Sequence, residues 1–75
     1  MADGAVFSLG DAVRLNAQPA YLKTADPMPM LRPADLVASE ERGLVVALRG
    51  GNQLAVRFRR GTFLLDAEQL QAVAD

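Results

Sequence analysis

Leu44 to Asp66 reads LVVALRGGNQLAVRFRRGTFLLD. Leu44 to Arg49 is β-branched and apolar, and Gly50-Gly51-Asn52 supplies a tight turn. Gln53 to Arg59 alternates, with Leu54, Val56 and Phe58 on one side and Ala55, Arg57 and Arg59 on the other. Two such runs joined by a glycine turn predict a β-hairpin. Arg60-Gly61 turns the chain again, and Thr62 to Leu65 is another short strand. Asp66 and Gln69 have the spacing of a capping box, so a helical or 3₁₀ turn is expected at 66–69. Leu70 to Val73 then closes the chain as a strand or the end of a short helix.

Working back toward the N-terminus, Ser39 to Gly43 is a polar bend, and Asp35 could cap a short helical turn. The stretch PAYLKTADPMPMLRP, Pro19 to Pro33, holds all four prolines and both methionines other than Met1. Proline removes backbone donors and disfavours helix in the residue before it, so this window is expected to be irregular. Long irregular loops in small domains are usually functional or disordered. Tyr21, Leu22, Met28, Met30 and Leu31 make this one too apolar for a disordered linker. Before it, Val13 and Leu15 alternate with Ala12 and Arg14 after a Gly10-Asp11 turn, which predicts a first strand over Asp11–Ala17.

The order is that of an all-β, small SH3-like barrel: five strands, a long Pro/Met-rich loop after the first, and one 3₁₀ or helical turn near the C-terminus. The 75 residues allow one domain, taken as residues 1–75. A chain of this size buries only about 60% of its unfolded surface, and the sequence has no Cys or His for staples. Hydrophobic packing must carry the fold. The expected inward set is Val13, Leu15, Leu44, Val46, Leu54, Val56, Phe58, Phe63, Leu65, Leu70 and Val73.

Composition argues against catalysis. Without His or Cys the commonest base, metal ligand and thiolate are missing. Ser8 and Ser39 have no candidate partner, and Glu40 and Glu41 in a bend are expected to be solvated. No spacing supports a magnesium site from Asp26, Asp35 and Asp66. Gly50-Gly51 is no phosphate loop, since neither Lys-Ser/Thr nor a helix follows. No enzyme activity, cofactor or metal is expected. No apolar run reaches the roughly 20 residues of a membrane helix. MADGAVFSLGD lacks the basic region of a signal peptide, so a cytoplasmic monomer is expected.

Two features point to recognition. The segment Arg42–Arg60 carries five arginines and no acid in a chain of net charge −1. Arg57 and Arg59 share one strand face, which reads as a solubilising face, a surface for an acidic protein, or, ranked third, a nucleic-acid surface. Single-stranded nucleic acid wants exposed aromatic platforms, which this stripe lacks, so nucleic acid is not the expected partner. In the Pro/Met window, Met28, Met30 and Leu31 either plug the core or face a partner, and the two readings are not exclusive. Tyr21, Lys23, Asp26 and Arg32 would complete a partner-binding set with these three and with Arg57 and Arg59.

YLKTADPMPMLRPADLV (residues 21–37), followed by EERGLVV, VRFRRGTFLLD and LQAV, resembles the SipA-like family of small cyanobacterial proteins with plastid relatives. The resemblance covers nearly the whole chain. Lys23 to Pro33, Val56-Arg57-Phe58, Gly61 and Phe63 to Asp66 carry the signature. Ala34 stands where the family often has a second proline, and Leu54-Ala55 where it often has an aromatic. The resemblance implies an SH3-like barrel without catalysis. It further implies an adaptor that binds the ATP-binding catalytic domain of the sensor histidine kinase NblS and promotes its autophosphorylation in light and nutrient stress. Its plastid relatives imply an alternative, an assembly or accessory factor for the NADH dehydrogenase-like complex of photosynthetic electron transport. The third reading is an SH3-like nucleic-acid module.

Overall fold

The computed structural model describes residues 7–38 and 40–73. The N-terminal reading of residues 1–6 and the placing of Ser39 in a bend lie outside the described residues. Among the described residues, seven strands form one antiparallel sheet: β1 (Ala12–Leu15), β2 (Tyr21–Thr24), β3 (Leu31–Pro33), β4 (Gly43–Leu48), β5 (Gln53–Phe58), β6 (Gly61–Asp66) and β7 (Leu70–Ala72). Their order is β3-β2-β6-β5-β4-β1-β7, with ends at β3 and β7. The all-β class holds, but the strand count is seven rather than five, and the sheet does not close.

The central hairpin forms where the sequence places it. Gly51 and Asn52 take left-handed φ of 71° and 67°, as a tight hairpin turn requires. Phe58 pairs with Gly61 across the next two-residue turn. The 3₁₀ turn at Ala67–Gln69 carries the expected capping box, with Gln69 Oε1 accepting from the Asp66 amide at 3.0 Å. A second 3₁₀ turn spans Ala34–Leu36; Pro33 occupies its N-cap, and Asp35 lies within its first turn rather than capping it.

The Pro/Met window contains regular structure, contrary to expectation. β2 and β3 form a hairpin in which Tyr21 pairs with Pro33, Leu22 with Arg32 and Lys23 with Leu31. Only 25–30 between them lacks strand structure. Proline is tolerated here because β3 is an edge strand, where a missing donor costs no ladder bond. Pro19, Pro27 and Pro29 lie outside the strands altogether.

One face of the sheet surrounds a single core. Val13, Leu15, Leu22, Val37, Val45, Leu54, Val56, Phe58, Phe63, Leu65 and Leu70 are all buried in it, with Phe7 at one end. The shortest extent of the molecule, 21 Å, is about two sheet layers at roughly 10 Å spacing. The sheet therefore coils, so that β2 and β7, distant in its order, share that core.

The inward set needs correction on β4. Leu44 and Val46 are 47% and 45% exposed, whereas Val45 is buried. Leu44 pairs with Arg57, which puts it on the solvated face, and a register shift between Val45 and Ala47 keeps Val46 outside too. The cause lies at Gly43. A Cβ there would stand 2.7 Å from both Phe58 Cε1 and Val56 Cγ1, so the Gly43–Val45 side is the one pressed on the core. Val73, also expected inward, is half-buried just beyond β7.

Glu41 is not simply solvated. Its carboxylate accepts from the Arg59 amide at 2.9 Å and the Ala38 amide at 3.3 Å, tying the bend before β4 to the β5–β6 turn.

Gly43→Ala should lower unfolding free energy by about 1–3 kcal/mol through overpacking against Phe58 and Val56. Gly50→Ala, where an added Cβ meets nothing within 4 Å, should cost less than about 1 kcal/mol. Urea melts of the two variants check this; equal stabilities would show that the β4 backbone yields freely.

Candidate partner-binding hairpin

The β2–β3 hairpin is held at two points. Leu22 is fully buried and anchors it to the core. β2 pairs with β6 through Lys23 with Leu64 and Thr24 with Phe63. The turn is closed at its base by Thr24: its amide donates to the Met30 carbonyl at 2.8 Å, and its hydroxyl accepts from the Met30 amide at 2.8 Å. The Ala25 amide donates to the Thr62 carbonyl at 3.0 Å, fixing the loop to β6. What projects beyond is Asp26-Pro27-Met28-Pro29.

The question of which way the methionines face is answered by burial. Met28 is 83% exposed and Met30 58% exposed, and Leu31 is exposed as well. None of the three is a core plug; Leu22, four residues before Asp26, fills that role. Two prolines flank Met28, so the tip is stiffened and loses little freedom on binding.

The structure divides the sequence-predicted set in two. Asp26, Met30 and Arg32 line a shallow cleft of about 270 Å³ beside the loop, with Arg60 and Thr62 across it. Tyr21 and Lys23 lie on the outer sheet face and line another cleft of about 370 Å³ with Leu64, Gln53 and Asp66. Arg57 is exposed on that outer face, opposite Leu44 on one side and Thr62 on the other. Arg59 is exposed at the β5–β6 turn, where Glu41 holds its backbone amide and not its side chain.

Arg60 and Leu64 were not in the predicted set. Arg60 belonged to the visible arginine stripe, but nothing local said that the β5–β6 turn meets the β2–β3 loop. Leu64 sits in an apolar strand, TFLL, whose two faces cannot be told apart without a partner strand. Among the described residues, no three His, Cys, Asp or Glu side chains cluster where they could hold a metal ion, and no helix is long and apolar enough to cross a membrane.

Leu22→Ala should cost about 2–5 kcal/mol of stability, as for a buried leucine truncated in a packed core. Met28→Asp and Met30→Asp should each keep the cooperative thermal transition, with stability within about 1 kcal/mol of the parent. Calorimetry of the three variants separates anchor from tip.

No curated protein and no solved structure matches the chain. A family model described as Protein CHLORORESPIRATORY REDUCTION 42-like, CRR42-like, matches residues 9–70, a span that includes six whole strands and the hairpin with its Pro/Met tip. That description, rather than SipA-like, is the one the match carries, and it falls on the plastid side of the resemblance. With most of its length matched, the chain belongs to the Protein CHLORORESPIRATORY REDUCTION 42-like family.

Proposed function

We propose that this protein is a non-catalytic interaction factor that supports assembly or accumulation of an NADH dehydrogenase-like complex of photosynthetic electron transport. The observation that carries the reading is the family match over residues 9–70, whose description names chlororespiratory reduction. The geometry is in keeping with it: an exposed hairpin tip, stiffened by two prolines, on a sheet anchored through Leu22 offers a surface for a protein. The sensor-kinase reading has no observation of its own to set beside the family match. An SH3-like kinship of the fold belongs to the same proposal, supported by the coiled antiparallel sheet and the 3₁₀ turn before its last strand. The hairpin tip is the partner-binding element in this reading, with Met28 and Met30 as apolar contacts and Asp26 and Arg32 beside them.

Loss of the protein should lower the abundance of the NADH dehydrogenase-like complex, read by native gel and by complex-dependent electron transfer, while kinase-dependent transcription stays unchanged. The paired Met28→Asp, Met30→Asp variant should fold but fail to restore the complex. Normal complex levels in the absence of the protein would end this reading, and a changed transcriptional response would return the kinase adaptor to first place.

A further inference from the structure

The sulfur of this chain is concentrated in one place. The sequence has no cysteine, and both methionines other than Met1 stand on the hairpin tip. Methionine in a small domain commonly fills gaps in the core. Among the described residues the core holds none. Met28 and Met30 are separated by Pro29 and preceded by Pro27, so both thioethers project from one stiffened stretch of backbone. At 83% and 58% exposure, both side chains are open to a small dissolved oxidant.

The supports of the tip are groups that sulfur oxidation does not touch. Leu22 fills the core beneath it. Thr24 holds the amide and the carbonyl of Met30, and the Ala25 amide reaches the Thr62 carbonyl. Oxygen added at either sulfur therefore changes the surface of the tip and leaves its anchorage in place. An alkyl side chain at 28 or 30 would supply an apolar contact as well as methionine does. The thioether adds one capacity, to be oxidised to a polar sulfoxide and reduced again.

We propose that Met28 and Met30 form a reversible oxidation site, at which a hydroperoxide turns the hairpin tip from apolar to polar and so releases it from its partner. In the forward step the peroxide O–O bond breaks and an S=O bond forms. The thioether is oxidised by two electrons, and the peroxide leaves as water or an alcohol, keeping its proton. In the reverse step a methionine sulfoxide reductase uses two thiols, which become a disulfide while the oxygen leaves as water. The sulfoxide is polar and chiral, and it replaces the apolar group at both positions that make the contact. Oxidation acts on the free chain, since a docked partner covers both side chains. This inference rests on the interaction-factor reading above and adds regulation to the same surface.

The purified chain is exposed to dilute hydrogen peroxide with N-acetylmethionine amide in the same solution as a reference, then digested and read by mass spectrometry. Met28 should oxidise within about twofold of the reference rate and Met30 within about fivefold. The doubly oxidised chain should keep its cooperative thermal transition, and reductases for both sulfoxide epimers, supplied with dithiothreitol, should return it to its starting mass. Oxidation of both sites more than about tenfold slower than the reference, a lost transition, or sulfoxides that the reductases leave in place would each overturn the proposal. In cells lacking the protein, the wild-type chain and the Met28→Leu, Met30→Leu pair are compared by complex abundance under sustained mild peroxide divided by abundance without it. That ratio should fall at least about threefold for the wild-type chain and stay level for the leucine pair. Raised levels of both reductases should blunt the wild-type fall, a readout independent of how well the leucine pair supports the complex. Equal falls in the two chains, or a wild-type fall that the reductases leave undiminished, would overturn the oxidation site while the function reading stands. Failure of the untreated wild-type chain to support the complex would instead count against the function.

Discussion

The contact between Gly43 and the side chains of Phe58 and Val56 decides which face of β4 is inside, and much of the molecule follows from it. With no side chain at 43, the β4 backbone comes close enough for Phe58 and Val56 to fill the space a Cβ would take. Gly43 and Val45 are then inner residues, and Leu44 and Val46 are outer ones. The core gains a close approach of β4 to β5 that a larger residue would prevent. The same choice leaves Leu44 and Val46 on the solvated face, Leu44 directly opposite Arg57.

Among its described residues this small chain has no α-helix to lay over its sheet, and its sequence has no Cys or His to staple it. Its answer is to coil one sheet around one cluster, so that each strand from β1 to β7 except the edge strand β3 contributes to the same core. Polar side chains secure the connections: Thr24 closes the β2–β3 turn, Glu41 ties the bend to the β5–β6 turn, and Asp66 with Gln69 caps the last 3₁₀ turn. Each bond closes a connection onto a neighbouring element. The exposed tip thus stands on a sheet in which these connections are each tied by a hydrogen bond.

The prolines show how one composition serves two ends. Pro33 sits in the edge strand β3, where its missing N–H leaves no ladder bond unmade and blunts the edge against further pairing. Pro27 and Pro29 stiffen the tip around Met28. Reading the whole window as irregular followed from treating every proline as a breaker. A proline's cost depends on whether its nitrogen faces a neighbour, and only the sheet order says so.

Local chemistry alone determined the central hairpin, the capping box and most of the core. Leu54, Val56 and Phe58 alternate with a set that contains Arg57 and Arg59, both exposed, Gly51 and Asn52 accept left-handed φ, and Asp66 and Gln69 reach each other within one turn. These signals act over a few residues and need no partner strand. The inside of β4, the β2–β3 hairpin and the meeting of Arg60 with the Pro/Met loop were decided by tertiary structure. LVV is apolar on both faces, so its period cannot choose between them; pairing with Arg57 and the contact at Gly43 choose instead. Met28 and Met30 faced the same ambiguity, and it was the burial of Leu22 that filled the core and left the methionines outside.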